Sequence, residues 1–187
     1  MNANRTPKGR TLIIGGSMAG LFSGLLLHRI GWDVHIFERV DAELASRGAG
    51  IVTHRELIGA LGRAGIDRSD EVGIEVPGRR TLDRDGKIIG QLSLRQTMTS
   101  WGRIFGLLIP VLPEDRYHKG KNLQSVTQTA SGVAASFEDG TTESGNLLIG
   151  ADGIHSTVRQ QLAPEISPIY AGYIAWRGLV DEAKLSP

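Results

Sequence analysis

A glycine-rich stretch near the start of the chain has the composition of a phosphate-binding turn. Residues 15–20 read Gly-Gly-Ser-Met-Ala-Gly. The first glycine permits a tight bend, a small third residue lets a pyrophosphate approach the backbone, and the last glycine lets the helix pack against the strand. Serine stands at the third position, and its hydroxyl can add a hydrogen bond to a phosphate. The predicted dinucleotide contacts are Gly15, Gly16, Ser17, Ala19 and Gly20.

An acidic residue follows at the distance that this chemistry requires. Glu38 lies eighteen residues after Gly20, where a carboxylate holds the hydroxyls of an adenosine ribose. Because a carboxylate repels a 2′-phosphate, the site is predicted to prefer FAD or NAD(H) to NADP(H). Arg39 either contacts the adenine or ribose or is a solvated charge at the end of a strand, and the sequence leaves both roles open.

Local patterns place the glycine turn between a strand and a helix. Residues 11–14 are an apolar, β-branched run, residues 18–30 carry apolar side chains at helical spacing, and residues 33–38 resemble a second strand. This order predicts a βαβ unit with parallel strands. The register of strand, turn, helix and acid argues against a glycine turn that binds nothing.

The rest of the chain predicts a mixed α/β structure. Further helices are expected at 55–64, at 101–112 and at 156–162, the last with Ser156 as its N-cap. Strand-like segments are expected at 73–94 (with a turn at 83–86), 123–129, 133–137, 141–144, 147–150 and 170–180.

Composition excludes several classes of protein. The 187 residues are 40% hydrophobic and 22% charged, as in ordinary globular proteins, and 25 are glycine. A net charge of +1 argues against nucleic-acid binding, and the lack of cysteine excludes disulfides, thiolate metal sites and thiol catalysis. The histidines lack ligand spacing, so no metal is predicted. The uncharged run 11–27 imitates a secretory signal, but its glycines favour folded structure in a cytoplasmic protein.

Several stretches together resemble a known family. Residues 150–159, Gly-Ala-Asp-Gly-Ile-His-Ser-Thr-Val-Arg, are similar to the "DG" motif of the single-component FAD-dependent aromatic hydroxylases. The glycine turn, Glu38-Arg39 and residues 48–51 agree with the same family. Similarity to its 2,6-dihydroxypyridine 3-hydroxylase branch comes from residues 116–118, 170–173 and 176–178.

The resemblance implies both a fold and a chemistry. The fold is a Rossmann-like FAD-binding domain (residues 1–72 and 101–166) interleaved with part of a smaller substrate domain (73–100 and 167–187). NAD(P)H reduces the flavin, O₂ adds to it, and a flavin hydroperoxide hydroxylates an electron-rich aromatic or N-heteroaromatic ring. The implied partners are a small aromatic substrate and O₂, with a homodimer as a candidate assembly and neither nucleic acid nor membrane.

The resemblance also implies cofactor contacts outside the glycine turn. Ala49 and Gly50 would let the backbone pass close to a flat ring, unless they form a plain flexible loop. Val126 would cover the adenine through its backbone, or it is a core strand residue. Asp152 and Gly153 would bind the phosphate or ribityl region, the alternative being a simple turn.

The sequence contains one candidate for a catalytic group. His54 is a candidate for substrate deprotonation, because an imidazole titrates near neutral pH; the alternative is a loop histidine. Trp101 stands where family members commonly carry an arginine that contacts FAD. No second flavin-binding Gly-Asp motif follows Val180, so we expect an N-terminal portion of a longer enzyme. Another FAD oxidoreductase (an epoxidase or amine-oxidising enzyme) and a non-catalytic nucleotide-binding fragment stay open as alternatives.

Overall fold

The computed structural model describes residues 8–42, 50–67, 72–176 and 182–184, and within them ten strands and four α-helices. The strands are β1 (Arg10–Ile14), β2 (Asp33–Phe37), β3 (Gly50–Val52), β4 (Ile74–Leu82), β5 (Ile88–Ser100), β6 (Tyr117–His118), β7 (Leu123–Thr129), β8 (Gly132–Phe137), β9 (Thr142–Gly145) and β10 (Leu147–Gly150). The helices are α1 (Met18–Arg29), α2 (Arg55–Ala64), α3 (Trp101–Leu108) and α4 (Thr157–Leu162).

A parallel sheet with the order β10-β1-β2-β6 forms the centre of the fold. Thr11 of β1 lies opposite Val34 of β2 on one side and Leu147 of β10 on the other, and every pairing in this sheet is parallel. Helix α1 connects β1 to β2 and is followed by Gly31 at φ +93°, a conformation that favours glycine. The predicted βαβ unit is therefore confirmed.

The two faces of this sheet bury different side chains because strand residues alternate in direction. Ile13, Val34 and Ile36 pack against α1, α2 and α3. Leu12 and Phe37 face the opposite way and pack against Phe137 of the meander. Helices on one face and an antiparallel sheet on the other hold the strand ends in place.

Two antiparallel sheets complete the structure. Strands β7, β8 and β9 form the predicted meander, and β3, β5 and β4 form a second sheet. The turn between β4 and β5 is held by Asp83, whose carboxylate accepts hydrogen bonds from the amides of Asp85 and Lys87 at 2.9 Å each. Strand β5 extends to Ser100, which pairs with Gly50, so that β3 belongs to this sheet.

Two sequence predictions about elements are wrong in part. Helix α3 ends at Leu108 and gives way to a 3₁₀ turn at Ile109–Val111, because Pro110 has no amide hydrogen to continue an α-helix. Residues 170–176 contain no strand, and residues 177–180 lie outside the described part of the chain. Trp176 is 92% exposed there, without the pairing that a strand requires. Among the described residues, no helix has the length and apolar character needed to cross a membrane.

Candidate functional site

A cavity of about 290 Å³ opens at the carboxyl ends of β1, β2 and β10. Ligands of open parallel α/β sheets bind outside this edge, and the volume is near the lower end of the range for small-molecule sites, about 300–1,000 Å³. Its lining comes from the glycine turn, the ends of these strands, and the starts of α3, β7 and α4. The lining residues are Ile14, Gly15, Ser17, Phe37, Glu38, Arg39, Val40, Trp101, Lys121, Asn122, Leu123, Ala151, Asp152, Gly153, His155 and Thr157.

The glycine turn brings three backbones together. Gly15 has φ +104°, and a Cβ there would collide with the carbonyl of Ala151 after β10. A Cβ at Gly20 would collide with the carbonyl oxygen of Gly15. The Gly15 amide donates to the carbonyl of Phe37 at 2.8 Å. Only glycine allows this approach of β1, α1 and β10, as the fingerprint requires.

Helix α1 starts beside the cavity, at Ser17, and its N-cap side chain leaves the amides of the first turn uncapped. Ser17 occupies the N-cap position, yet its side chain makes no capping hydrogen bond, and the first turn carries no acidic residue. The first amides of a helix have no partner within the helix and lie at the positive end of its dipole. An uncapped helix start beside a cavity is suited to an anion such as a pyrophosphate.

Glu38 supplies a carboxylate acceptor in the cavity, directly beside the glycine turn. It is 7% exposed, and its two carboxylate oxygens accept the amide hydrogens of Gly16 at 2.7 Å and Val40 at 2.9 Å. Each oxygen of a carboxylate has two lone pairs, so each retains one for a ribose hydroxyl. The carboxylate is therefore held rigidly by the same turn that receives the phosphates.

Tyr117, on β6, also holds the glycine turn in place through a hydrogen bond to its backbone. Its hydroxyl donates to the carbonyl of Gly16 at 3.0 Å, and a Cβ at Gly16 would collide with that hydroxyl. Burial, followed by the nearby charge of Glu38, raises the pKa of Tyr117 above its usual value. The phenol therefore stays protonated and keeps donating throughout the physiological pH range.

Asp152 shapes the loop between β10 and α4. Its Oδ1 accepts from the Ser156 hydroxyl at 2.5 Å, and its Oδ2 accepts from the amides of Thr157 at 2.7 Å and Val158 at 3.2 Å. Ser156 is the N-cap as predicted, accepting from the Arg159 amide at 2.9 Å. The Asp152 carboxylate therefore acts through the shape of the loop, which presents Asp152 and Gly153 to the cavity.

The structure gathers most of the predicted cofactor residues, but not all of them. Gly15, Ser17, Glu38, Arg39, Asp152 and Gly153 line the cavity, and Gly16 and Gly20 support it from behind. Ala19 is exposed on the first turn of α1 without lining the cavity. Ala49 lies outside the described residues.

Three predicted residues lie away from the cavity. Gly50 pairs with Ser100 in β3 and does not line it. Val126 is also outside, and its amide donates to Oε1 of Gln161 at 2.8 Å, which leaves no backbone donor for an adenine. His54 is the N-cap of α2, where Nδ1 accepts from the amide of Leu57 at 3.3 Å.

Sequence reasoning did not assign several residues that the cavity contains. In the sequence, Trp101 is only a departure from the arginine that family members commonly carry. In the structure, its indole Nε1 donates to the Ser17 hydroxyl at 3.2 Å. The amide of Lys121 donates to the carbonyl of Glu38 at 2.9 Å, which brings Asn122 and Leu123 to the rim. The placement of His155 could have been foreseen, because it lies in the same motif as Asp152.

These groups fit the ADP half of FAD. Uncapped amides and a serine hydroxyl suit a pyrophosphate, a buried carboxylate suits ribose hydroxyls, and the absence of Cβ atoms at the turn leaves room for close approach. Binding the ADP moiety requires neither a nucleophile nor a general base. The geometry thus defines a dinucleotide-binding fold of the FAD type.

Comparison with known proteins identifies the family. The family model described as "FAD binding domain" matches residues 8–177, and the chain belongs to this family. The chain is 34% identical over 178 residues to 2,6-dihydroxypyridine 3-monooxygenase of Paenarthrobacter nicotinovorans, covering 95% of the chain and 44% of that protein. It is 33% identical over 180 residues to aurachin C monooxygenase/isomerase of Stigmatella aurantiaca, covering 91% of the chain and 47% of that protein.

Solved structures agree with this assignment. The structure of 2,6-dihydroxypyridine-3-hydroxylase from Arthrobacter nicotinovorans superposes with a TM-score of 0.80 at 34% identity, over 89% of this chain and 42% of that one. Klebsiella pneumoniae HpxO, complexed with FAD and uric acid, gives a TM-score of 0.70 at 25% identity, over 81% of this chain and 41% of that one. The chain thus spans less than half the length of these relatives.

Proposed function

We propose that the chain provides the FAD-binding part of a monooxygenase that hydroxylates an electron-rich aromatic or N-heteroaromatic ring with NAD(P)H and O₂. The observation that carries the proposal is the cavity at the edge of the parallel sheet, where a buried carboxylate lies beside an uncapped helix start. The names of its relatives, dihydroxypyridine and 6-hydroxynicotinate 3-monooxygenases among them, support a hydroxylated N-heteroaromatic substrate.

The residues of this chain would bind and orient the cofactor. Glu38 would hold the adenosine ribose, and the turn that contains Gly15 and Ser17 would receive the pyrophosphate. The Asp152 loop closes the same cavity from the side of β10. When bound, FAD supplies the redox chemistry that amino-acid side chains lack.

The domain organisation is part of the proposal. Residues 1–72 and 101–166 would form the FAD-binding domain, with residues 73–100 and 167–187 contributing to a substrate domain. The hairpin of β4 and β5 supports this division, since it lies in a sheet separate from the parallel one. Strand β3, within residues 1–72, pairs with β5 of this hairpin and connects the two proposed domains. A cytoplasmic location and a homodimer stay predictions from the sequence.

An isotope experiment tests the proposed reaction. The whole monooxygenase, to which this chain would contribute the FAD-binding part, is supplied with FAD, NADH or NADPH, and 2,6-dihydroxypyridine under ¹⁸O₂, while nicotinamide oxidation, peroxide and product mass are followed together. We expect one ¹⁸O atom in the hydroxylated ring. Nicotinamide oxidation that yields peroxide and no labelled product would instead indicate an oxidase, and a protein that takes up no FAD would remove the basis of the proposal.

A further inference from the structure

Ser17 stands at the N-cap of α1 without capping it. A serine at this position ordinarily accepts a hydrogen bond from an amide of the first turn. Here the Ser17 side chain makes no such bond, and its oxygen accepts the indole Nε1–H of Trp101 at 3.2 Å instead. Trp101 is 84 residues away along the chain, so this contact depends on the tertiary structure.

Trp101 is held rigidly where it makes this contact. It is the first residue of α3, whose N-cap Ser100 accepts from the Arg103 amide at 3.1 Å. Its ring stacks on Phe105 with centroids 4.8 Å apart and planes 18° from parallel. The same indole lines the cavity beside the glycine turn. A side chain stacked in this way keeps its N–H in one direction.

The direction of this hydrogen bond decides what the serine can still do. An indole N–H can only donate, whereas a hydroxyl has one hydrogen to donate and two lone pairs to accept with. Trp101 therefore occupies one lone pair of Ser17 and leaves its hydroxyl hydrogen free. In the part of the chain that the structure describes, the Ser17 hydroxyl donates no hydrogen bond.

We propose that Trp101 is a positioning residue for the pyrophosphate: its indole N–H holds the Ser17 hydroxyl away from the first turn of α1 and directs the hydroxyl hydrogen to the cofactor. The inference rests on the proposed FAD site and adds a device to it. Diverting Ser17 keeps the helix amides available for the anion and adds one more donor beside them. The tryptophan thus acts on the phosphates through serine, although it is itself uncharged.

Two substitutions separate this role from simple packing. Trp101→Phe keeps an aromatic ring against Phe105 and removes the N–H together with the second ring of the indole, and Ser17→Ala removes the hydroxyl. Trp32→Phe is the matched control, because Trp32 precedes β2 at the opposite end of the parallel sheet and does not line the cavity. Far-UV circular dichroism and thermal midpoints establish that each variant is folded.

The probes are ADP, which carries the diphosphate, and adenosine, which lacks it. We expect Trp101→Phe to weaken ADP binding roughly three- to tenfold, the effect of about one hydrogen bond, with adenosine binding unchanged within a factor of two. The double variant with Ser17→Ala should bind ADP no more weakly than Ser17→Ala alone, because both changes remove the same interaction. Trp32→Phe should bind both probes like the wild type.

Other outcomes overturn the inference in distinguishable ways. Equal losses for ADP and adenosine would mean that Trp101 only shapes the cavity. Independent, additive losses in the double variant would mean that Trp101 does not act through Ser17, and an unchanged ADP affinity in Trp101→Phe would remove the role altogether. A wild-type protein that binds neither probe would instead overturn the proposed cofactor site itself.

Discussion

Glu38 has a structural role in the glycine turn beside its proposed role at the adenosine ribose. Its position at the end of β2 could be predicted from the sequence, because spacing from the glycine turn is a local property. Its structural role could not, since the amides of Gly16 and Val40 that it holds become partners only when the turn closes. We therefore expect a substitution of Glu38 to change both nucleotide binding and the stability of the folded state.

We expect Glu38→Ala to lower the free energy of unfolding by about 1–3 kcal/mol, because two amide groups lose a buried charged acceptor. ADP binding should weaken as well, by at least tenfold. Glu38→Gln keeps one carbonyl oxygen and should recover part of the stability. Urea denaturation and calorimetric titration measure the two effects separately, and an Ala variant with wild-type ADP affinity would remove Glu38 from the ribose site.

The charge of Glu38 also predicts a preference between nucleotides. ADP should bind more tightly than its 2′-phosphorylated analogue, because the 2′-phosphate of the analogue would lie against the Glu38 carboxylate. Glu38→Gln should narrow that preference by removing the repulsion. Competition titrations with the two nucleotides on both proteins measure the effect. Equal affinities in the wild type would contradict the assigned position of the ribose.

The motif around Asp152 is recognisable from the sequence, whereas the hydrogen bonds that its carboxylate accepts are visible only in the structure. Asp152→Ala removes three hydrogen bonds at the start of α4 and should cost about 1–2 kcal/mol, as the loss of a helix cap does. ADP should bind more weakly because the loop lines the cavity. Asp85→Asn, at an exposed position in the β4–β5 turn, is the control. Wild-type stability in Asp152→Ala would contradict the capping role.

Among the elements, those specified by local sequence agree best with prediction. Helix α2 has the predicted bounds, and Gly65, at φ +97°, ends it. The three meander strands β7, β8 and β9 are also present in the predicted order. The strand expected at residues 170–180 is absent from the described residues 170–176, because a strand forms only where another strand accepts its hydrogen bonds. Periodicity reports the side chains of a segment and contains nothing about its partner.

Strands β2 and β6 are joined by a hydrogen-bonded pair of histidines. Nδ1 of His35 lies 2.9 Å from Nε2 of His118, and Nη1 of Arg116 lies 3.0 Å from Nε2 of His35. Because guanidinium only donates, Nε2 of neutral His35 accepts and its Nδ1 donates to His118. A second proton on either ring would place two N–H groups against each other. The charged groups around the pair are Arg10, Asp33, Asp115, Arg116, Lys121 and Glu143.

This pair predicts a stability that falls in mild acid. Burial is the main cause that lowers the pKa of both His35 and His118 below the usual 6.5, and the positive charge of Arg10 adds to it. As the pH falls, these two histidines therefore take up protons in the unfolded chain before they do so in the folded protein. Their contribution to the free energy of unfolding is fully present above pH 6.5 and declines as the pH falls below that value. Thermal midpoints at pH 7.5, 6.5 and 5.5 measure the decline.

Variants separate the histidine pair from other titrating groups. The double variant His35→Gln/His118→Gln should show a smaller change in thermal midpoint between pH 7.5 and 5.5 than the wild type. His28→Gln, at an exposed position of α1, should keep the wild-type dependence. A wild-type midpoint that stays constant or rises as the pH falls would contradict the histidine account.

At the scale of the whole molecule, the cavity is assembled from segments far apart in the chain. The glycine turn, Glu38 and the Asp152 loop were predicted because each belongs to a short motif. Trp101 and Tyr117 were not assigned, since they reach the turn across 84 and 101 residues and no local pattern encodes such a contact. The partner of the Val126 amide is hidden from the sequence for the same reason, because only the packing of α4 on β7 brings Gln161 to it.

Calorimetric titration of one variant pair with ADP and FAD tests whether this cavity binds the ADP moiety of FAD. Gly15→Ala adds only a methyl group, which would collide with the Ala151 carbonyl in the turn. Gly62→Ala adds the same group to α2, with no atom within 4 Å. We predict that Gly62→Ala binds each ligand, ADP and FAD, with the affinity of the wild type. Folded Gly15→Ala should bind each of them at least tenfold more weakly. Equal binding by folded Gly15→Ala, or no ADP binding by the wild type, would contradict the account.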